Sequence, residues 1–430
     1  MSPAILSLSM TKGIVGVGVF ALSAGLVSGP GLIPSALIAM LVGVLSCWTY
    51  YLLGRATEDT KATDNKSLWT ATVGPETAWA YDLATALVCF GGLVQFYSTM
   101  TQLVQWLGAS AAAAWPATLG GSALASLPYG AALGLVSACM LPLCLLPNLN
   151  ALKPASAVGF AGILYTVGYV IWRLIDGSYR LPTGAFAATL TGPRTNIWGV
   201  KTLGGTAAFL GSISTAFLTH LGVPRFYNEL RSPAAKATEA APAALDGTAS
   251  EPNVDRAKLS VFAKAVSVAF AVSVGCSTIV MLCGYLIYGD ATKSMLFNNF
   301  AVTDGAATLV RGATLLSVAA LTPILALAFR DAIVPQIVAK GLPLNENLLR
   351  VAIALGAHFC SFCFRDVGLI ISLRGSLLGA PCVFTMPSLI YLRSKRGKAA
   401  GALAKALHRF LMWFGVAMAA VGTTCVLLFR

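Results

Sequence analysis

The sequence predicts an all-α integral membrane protein, a helical bundle of about eleven transmembrane helices. Of its 430 residues 57% are hydrophobic and 10% charged, with a mean hydropathy of +0.77, whereas soluble domains carry roughly 25% charged residues. The few charges are clustered. Between the clusters run uncharged stretches long enough to cross a bilayer, which takes about 20 mostly apolar residues as a helix.

No charge falls between Lys12 and Arg55, room for two helices separated by the turn signal Gly29-Pro30-Gly31. The next uncharged stretch, Asp82 to Lys153, holds a helix to about Trp106, an Ala/Gly/Ser-rich loop near Ser110 to Ser126, and a second helix to about Leu146. Further apolar runs follow at Ala155–Trp172, Thr202–Gly222, Ala265–Ile287, Gly312–Phe329, Val351–Phe364, Gly375–Leu392 and Phe410–Phe429. These runs are too long and too continuously apolar for membrane β-barrel strands, which alternate over about 10 residues. The first run is followed at once by more spans and has no basic leader, which favours a mature helix over a signal or transit peptide.

Lysine and arginine collect in cytoplasmic loops. With the N-terminus inside, 20 of them lie on the cytoplasmic side, 8 outside, and Arg374 within a helix. The same asymmetry accounts for the net charge of +13, so the basic balance is not a reason to expect nucleic acid as a partner. The Ala/Pro-rich segment Ser232–Pro252, inside a hydrophilic stretch from Pro224 to Lys264, reads as a disordered cytoplasmic loop. Either the plasma membrane or a vacuolar or lysosome-like membrane fits, as does a monomer or weak oligomer.

The ten cysteines lie in or beside apolar runs, which excludes an extracellular disulfide framework. Cys360 and Cys363 form a lone C-x-x-C within a hydrophobic helix and are read as packing residues, since a metal site needs a second pair of ligands. No cofactor is expected. An enzyme is not expected either: His220, His358 and His408 are far apart, and no H-E-x-x-H or G-x-S-x-G occurs. A channel should show pore loops or rings of charge.

Function in such a bundle resides where helices break. The first run places Gly13, Gly16 and Gly18 within two turns, and each glycine weakens a helix by about 1 kcal/mol relative to alanine. An unwound segment there would present backbone N–H groups and a half-helix N-terminus to an anion such as a carboxylate. Close helix packing through small residues is the alternative. The sixth run carries the counterpart: Gly204-Gly205, then Gly211, Ser212, Ser214, Thr215 and Phe217, ending at His220, Gly222 and Pro224. Runs one and six hold corresponding places in two five-helix halves, the arrangement of inverted repeats around a central site.

Several segments then resemble one family. KGIVGVGVFALSAGL, from Lys12 to Leu26, looks like the first-helix signature of the amino acid/auxin permease family, within the amino acid–polyamine–organocation superfamily. His220 to Pro233, HLGVPRFYNELRSP, resembles that family's pattern after the sixth helix. Leu282 to Gly289, Thr322-Pro323 and Met386 to Leu392 follow in family order. The resemblance implies a LeuT-type fold of 5+5 inverted repeats plus one helix, with repeats at 12–172 and 202–392, a cytoplasmic loop at 224–264 and an eleventh helix at 410–429. It implies a secondary transporter of amino acids. Carried onto this chain, Gly16, Val17 and Gly18 would hold the carboxylate. Ser212, Ser214 and Thr215 would meet the amine or side chain, and Phe217 would be a gate.

Sodium-coupled members tend to have an uncharged polar residue where this chain has Lys12, so the resemblance implies coupling to a proton or no dependence on sodium. A sodium symporter and a transport-inactive amino-acid sensor are the alternatives, and Lys12 as a surface anchor is another. His220 is read as a latch to the loop carrying Tyr227 and Glu229. Arg374, deep in a span, needs a partner, for which Asp366 is the candidate two turns away.

Overall fold

The computed structural model describes residues 2–114, 126–146, 153–187, 194–230, 255–341, 343 and 345–429. Among them run eleven helical segments, of which seven are long and apolar enough to cross a membrane, or eight with the bent first pair taken as one. The first is split into Pro3–Ile14 and Val19–Ser28, bent by 44°. Leu32–Thr60, Ala78–Ala114, Tyr129–Leu145 and Lys153–Asp176 follow as spans two to five. The sixth is split again, into Leu203–Ala216 and Val223–Glu229. Spans seven to nine are Arg256–Tyr288, Gly305–Ala339 and Glu346–Cys363. The tenth starts at Val367 and passes through π-type turns at Gly375–Gly379 and Pro381–Thr385 to Arg393. The eleventh runs from Ala402 to Phe429.

Helix ends explain where these limits depart from the apolar runs. The first helix begins at Pro3, because the Ser2 side chain caps it and proline suits a first turn. Lys12 therefore lies inside the span, about 14 Å along its axis at 1.5 Å per residue. The seventh helix begins at Arg256 under an Asp255 cap, with the Lys258 N–H donating to Asp255 at 2.8 Å. Arg256, Lys258 and Lys264 thus form its opening turns, and the stretch expected as loop from Pro224 to Lys264 is helical at both ends. Its Ala/Pro-rich part lies outside the described residues.

Ion pairs gather the span ends into two faces. On one, Arg396 donates to Asp59 at 2.5 and 3.0 Å, and Glu58 accepts from the Asp255 N–H at 2.9 Å and from the Tyr227 hydroxyl at 3.0 Å. On the other, Lys201 meets Asp290 at 2.6 Å, and the Gly31 N–H donates to the Gly199 carbonyl. Between the faces, Val44, Leu355, Phe359, Trp413 and Leu427 are each more than half exposed, an apolar belt that water would not tolerate and lipid would.

The second face carries a buried polar knot. Asp304, 1% exposed, accepts from Arg173 Nη2 at 2.6 Å, from the Tyr169 hydroxyl at 2.9 Å and from the Ala306 N–H at 3.0 Å. Burial pushes the Tyr179 phenol up, so it stays protonated and donates to the same carboxylate at 3.2 Å. Arg311 beside it is fully buried and donates to the Phe297 and Phe300 carbonyls at 3.1 and 2.6 Å. Asp304→Leu would leave Arg173 Nη2 buried without its acceptor, with Nη1 still held by Asp176 at 2.8 Å. It should cost about 3 kcal/mol, read as a lower thermal midpoint in detergent, and the double change with Arg173→Leu should recover part of that loss.

Candidate substrate site

The two broken spans meet at their breaks. After Val15, whose N–H donates to the Thr11 carbonyl, the helical ladder stops: Gly16 donates back to the Ile14 carbonyl at 2.9 Å, and the N–H groups of Val17 and Gly18 donate to no backbone carbonyl among the described residues. The second half-helix then opens at Val19. In span six the ladder stops where Phe217 donates to Ile213, and a tight turn at His220–Gly222 leads into the next helix. A Cβ on Gly18 would lie 3.5 Å from the Ala216 Cα, and one on Gly13 would lie 3.6 Å from Thr219 Oγ1. A Cβ on Gly16 would meet nothing within 4 Å. The glycines therefore divide between close packing and open space, with Gly16 on the open side. Free backbone donors, a half-helix N-terminus and an open volume beside them suit a small anionic group.

The hydroxyls of span six are already engaged. Ser212 Oγ lies 3.0 Å from Ser372 Oγ, and Thr215 donates to the Ile371 carbonyl at 2.9 Å, both on the tenth span. Ser214 donates to Leu210 within its own helix at 2.8 Å. Phe217 is fully buried in an apolar cluster with Ile14, Ile213 and Phe384.

Two expected pairings are replaced. His220 does not latch onto the loop of Tyr227 and Glu229. Its Nε2 lies 3.0 Å from Thr49 Oγ1 and 3.2 Å from the Ser46 carbonyl on span two, with the ring edge-on to Tyr50. The tight turn points the imidazole inward, while Tyr227 reaches Glu58 and Glu229 pairs with Arg225 at 2.9 Å. Arg374 does not pair with Asp366. It donates to Gln95 Oε1 at 2.8 Å and to the Val88 carbonyl at 3.2 Å on span three. Asp366 is consumed as the cap of the tenth span, accepting from the Gly368 and Leu369 N–H groups.

The model of the transmembrane amino acid transporter protein family matches residues 1–245 and 254–428. The chain belongs to that family. Other similar proteins are the provisionally named sodium-coupled neutral amino acid transporter 11 of Rattus norvegicus, 23% identical over 59% of this chain, and that of Mus musculus, 26% identical over 34%. The matches span 49% and 32% of those relatives' length. The fold is similar to that of MhsT in complex with L-phenylalanine, with a TM-score of 0.52 and 13% identity over 98% of this chain and 96% of that one. It is likewise similar to Mhp1, a nucleobase-cation-symport-1 family transporter, at 0.51 and 12% over 99% and 92%. This family member therefore has a LeuT-type fold, in keeping with the resemblance of its motifs.

Thr49, Gln95 and Ser372, which hold His220, Arg374 and Ser212 in place, carried no signal in the sequence. Each lies more than 150 residues from its partner.

Proposed function

We propose that the protein is a secondary transporter of amino acids working by alternating access around the breaks in spans one and six. The observation that carries this reading is the opposition of the two breaks with Gly16 facing open space. The substrate carboxylate binds the free N–H groups of Val17 and Gly18 at the positive end of the Val19–Ser28 dipole, whose own first N–H groups already donate to the carbonyls of Gly16, Val17 and Gly18. The amine faces the unwound backbone after Ala216, where carbonyls released from the ladder accept from a cation. Because Ser212 and Thr215 already hold the tenth span, substrate contact there passes through shared hydroxyls, and Phe217 closes the site from the buried side. The N-terminus is cytoplasmic, by the charge asymmetry of the loops.

Lys12 lies inside the span, two residues before the first half-helix ends, and makes no ion pair among the described residues. An ammonium so placed repels sodium and supplies a fixed positive charge in its stead, which favours proton-coupled or sodium-independent transport. The names of the relatives favour sodium. The protein reconstituted in liposomes, given labelled neutral amino acids under a pH gradient, a sodium gradient or neither, separates the two. Uptake indifferent to sodium is expected. Sodium dependence would overturn the role given to Lys12, and binding without uptake would make the protein a sensor.

A further inference from the structure

On the lipid-facing side of the bundle, an apolar groove of about 600 Å³ runs between spans two and seven, lined among others by Met40, Cys47, Trp48, Tyr51, Phe270 and Val274. The two helices are antiparallel, and their register is fixed by three contacts. Gly43 packs on Val274, Gly54 packs on Phe262, and Glu58 accepts from the Asp255 N–H. Along span two the groove residues Val44, Cys47, Trp48 and Tyr51 repeat at helical spacing, and the next place on that stripe is Arg55. Along span seven the stripe through Ala271, Ser267 and Ala263 reaches Arg256 after two more turns. Register and stripe together put both arginines at the Glu58–Asp255 end of the groove.

Neither arginine makes a hydrogen bond or ion pair among the described residues, and Arg55 Nε is sealed from solvent with no acceptor. Each neighbouring carboxylate among the described residues is taken. Glu58 is held by Lys61 and Tyr227, Asp59 by Arg396, and Asp255 caps its helix. Counting Lys61, Lys258 and Arg396 with the two arginines, five cations face three carboxylates at this end among the described residues. An apolar trough ending in two free guanidinium groups suits a molecule with a long hydrocarbon part and an anionic oxygen group at its end, because guanidinium binds phosphate through paired hydrogen bonds.

We propose that this groove binds one anionic glycerophospholipid, its acyl chain lying along spans two and seven and its phosphate between Arg55 and Arg256. A sterol hydroxyl would leave both guanidinium groups unpaired. The proposal does not depend on the amino-acid site.

The test uses the delipidated full chain in detergent, mixed with phosphatidylglycerol or phosphatidylcholine and read by native mass spectrometry for retained lipid. The expected result is about tenfold preferential retention of phosphatidylglycerol. Arg55→Gln with Arg256→Gln should abolish the preference, while Lys395→Gln with Lys398→Gln, a loss of equal charge on the same face, should keep it. Ala271→Phe, which fills the trough, should weaken retention of both lipids. Equal retention of the two lipids by the unaltered protein, an unchanged preference in the Arg55/Arg256 variant, or displacement of phosphatidylglycerol by cholesterol would each overturn it.

Discussion

Gly16→Leu should leave a folded protein that no longer takes up amino acid. The expectation rests on the unequal surroundings of the first-span glycines. Gly18 and Gly13 already abut the sixth span at contact distance, so side chains longer than a methyl there would press on it and confuse folding with function. Gly16 has no neighbouring heavy atom within 4 Å of where its Cβ would be, so a side chain there starts into open volume. That volume is the place assigned to the substrate carboxylate. A charged acceptor that loses two backbone donors forfeits about 1.5–3 kcal/mol for each, so uptake should fall by about 100-fold or more. The thermal midpoint in detergent should move little, because the side chain starts from a Cβ that meets no heavy atom within 4 Å. Gly16→Ala should give an intermediate loss. Transport at the level of the unaltered protein by Gly16→Leu would remove the carboxylate site from the first break.

The contrast between Gly16 and its neighbours shows where sequence reasoning reaches and where it stops. Glycine density located the first break to within a few residues, because a local weakness of the helix is written in local residues, whereas in span six the small residues Gly211 to Thr215 stay helical and the break comes after Ala216. Which glycine packs and which faces space depends on a helix about 200 residues away, and no local pattern holds that. The same limit explains the side-chain assignments. Asp366 was the nearest acid to Arg374 along the chain, but a residue at a helix start caps its own N–H groups first. The arginine then turned to Gln95 across the bundle. The opening turns of span seven were read as loop because charges mark span boundaries only on average. Here Arg256, Lys258 and Lys264 remain helical beyond the apolar stretch.

Gly375 is where the largest loss of stability is expected. A Cβ at this position would overlap the Gly211 carbonyl oxygen and Thr215 Oγ1, so the obstacle is chiefly backbone and no rotamer change relieves it. At the same crossing lie the bonds of Ser212 to Ser372 and of Thr215 to Ile371. Small residues let helix backbones approach closely in a membrane, where packing and interhelical hydrogen bonds, and not hydrophobicity, hold helices together. Gly375→Leu must therefore part spans six and ten and break both bonds, and about 4–5 kcal/mol is expected, beyond the range of ordinary overpacking. Protein that fails to remain monodisperse in detergent, or a midpoint lowered by many degrees, would bear this out. Gly275→Leu is the matched control, since its Cβ on the seventh span meets nothing within 4 Å and should change the midpoint little. If both variants were equally stable, the contact of spans six and ten would not be what fixes the position of the sixth-span break.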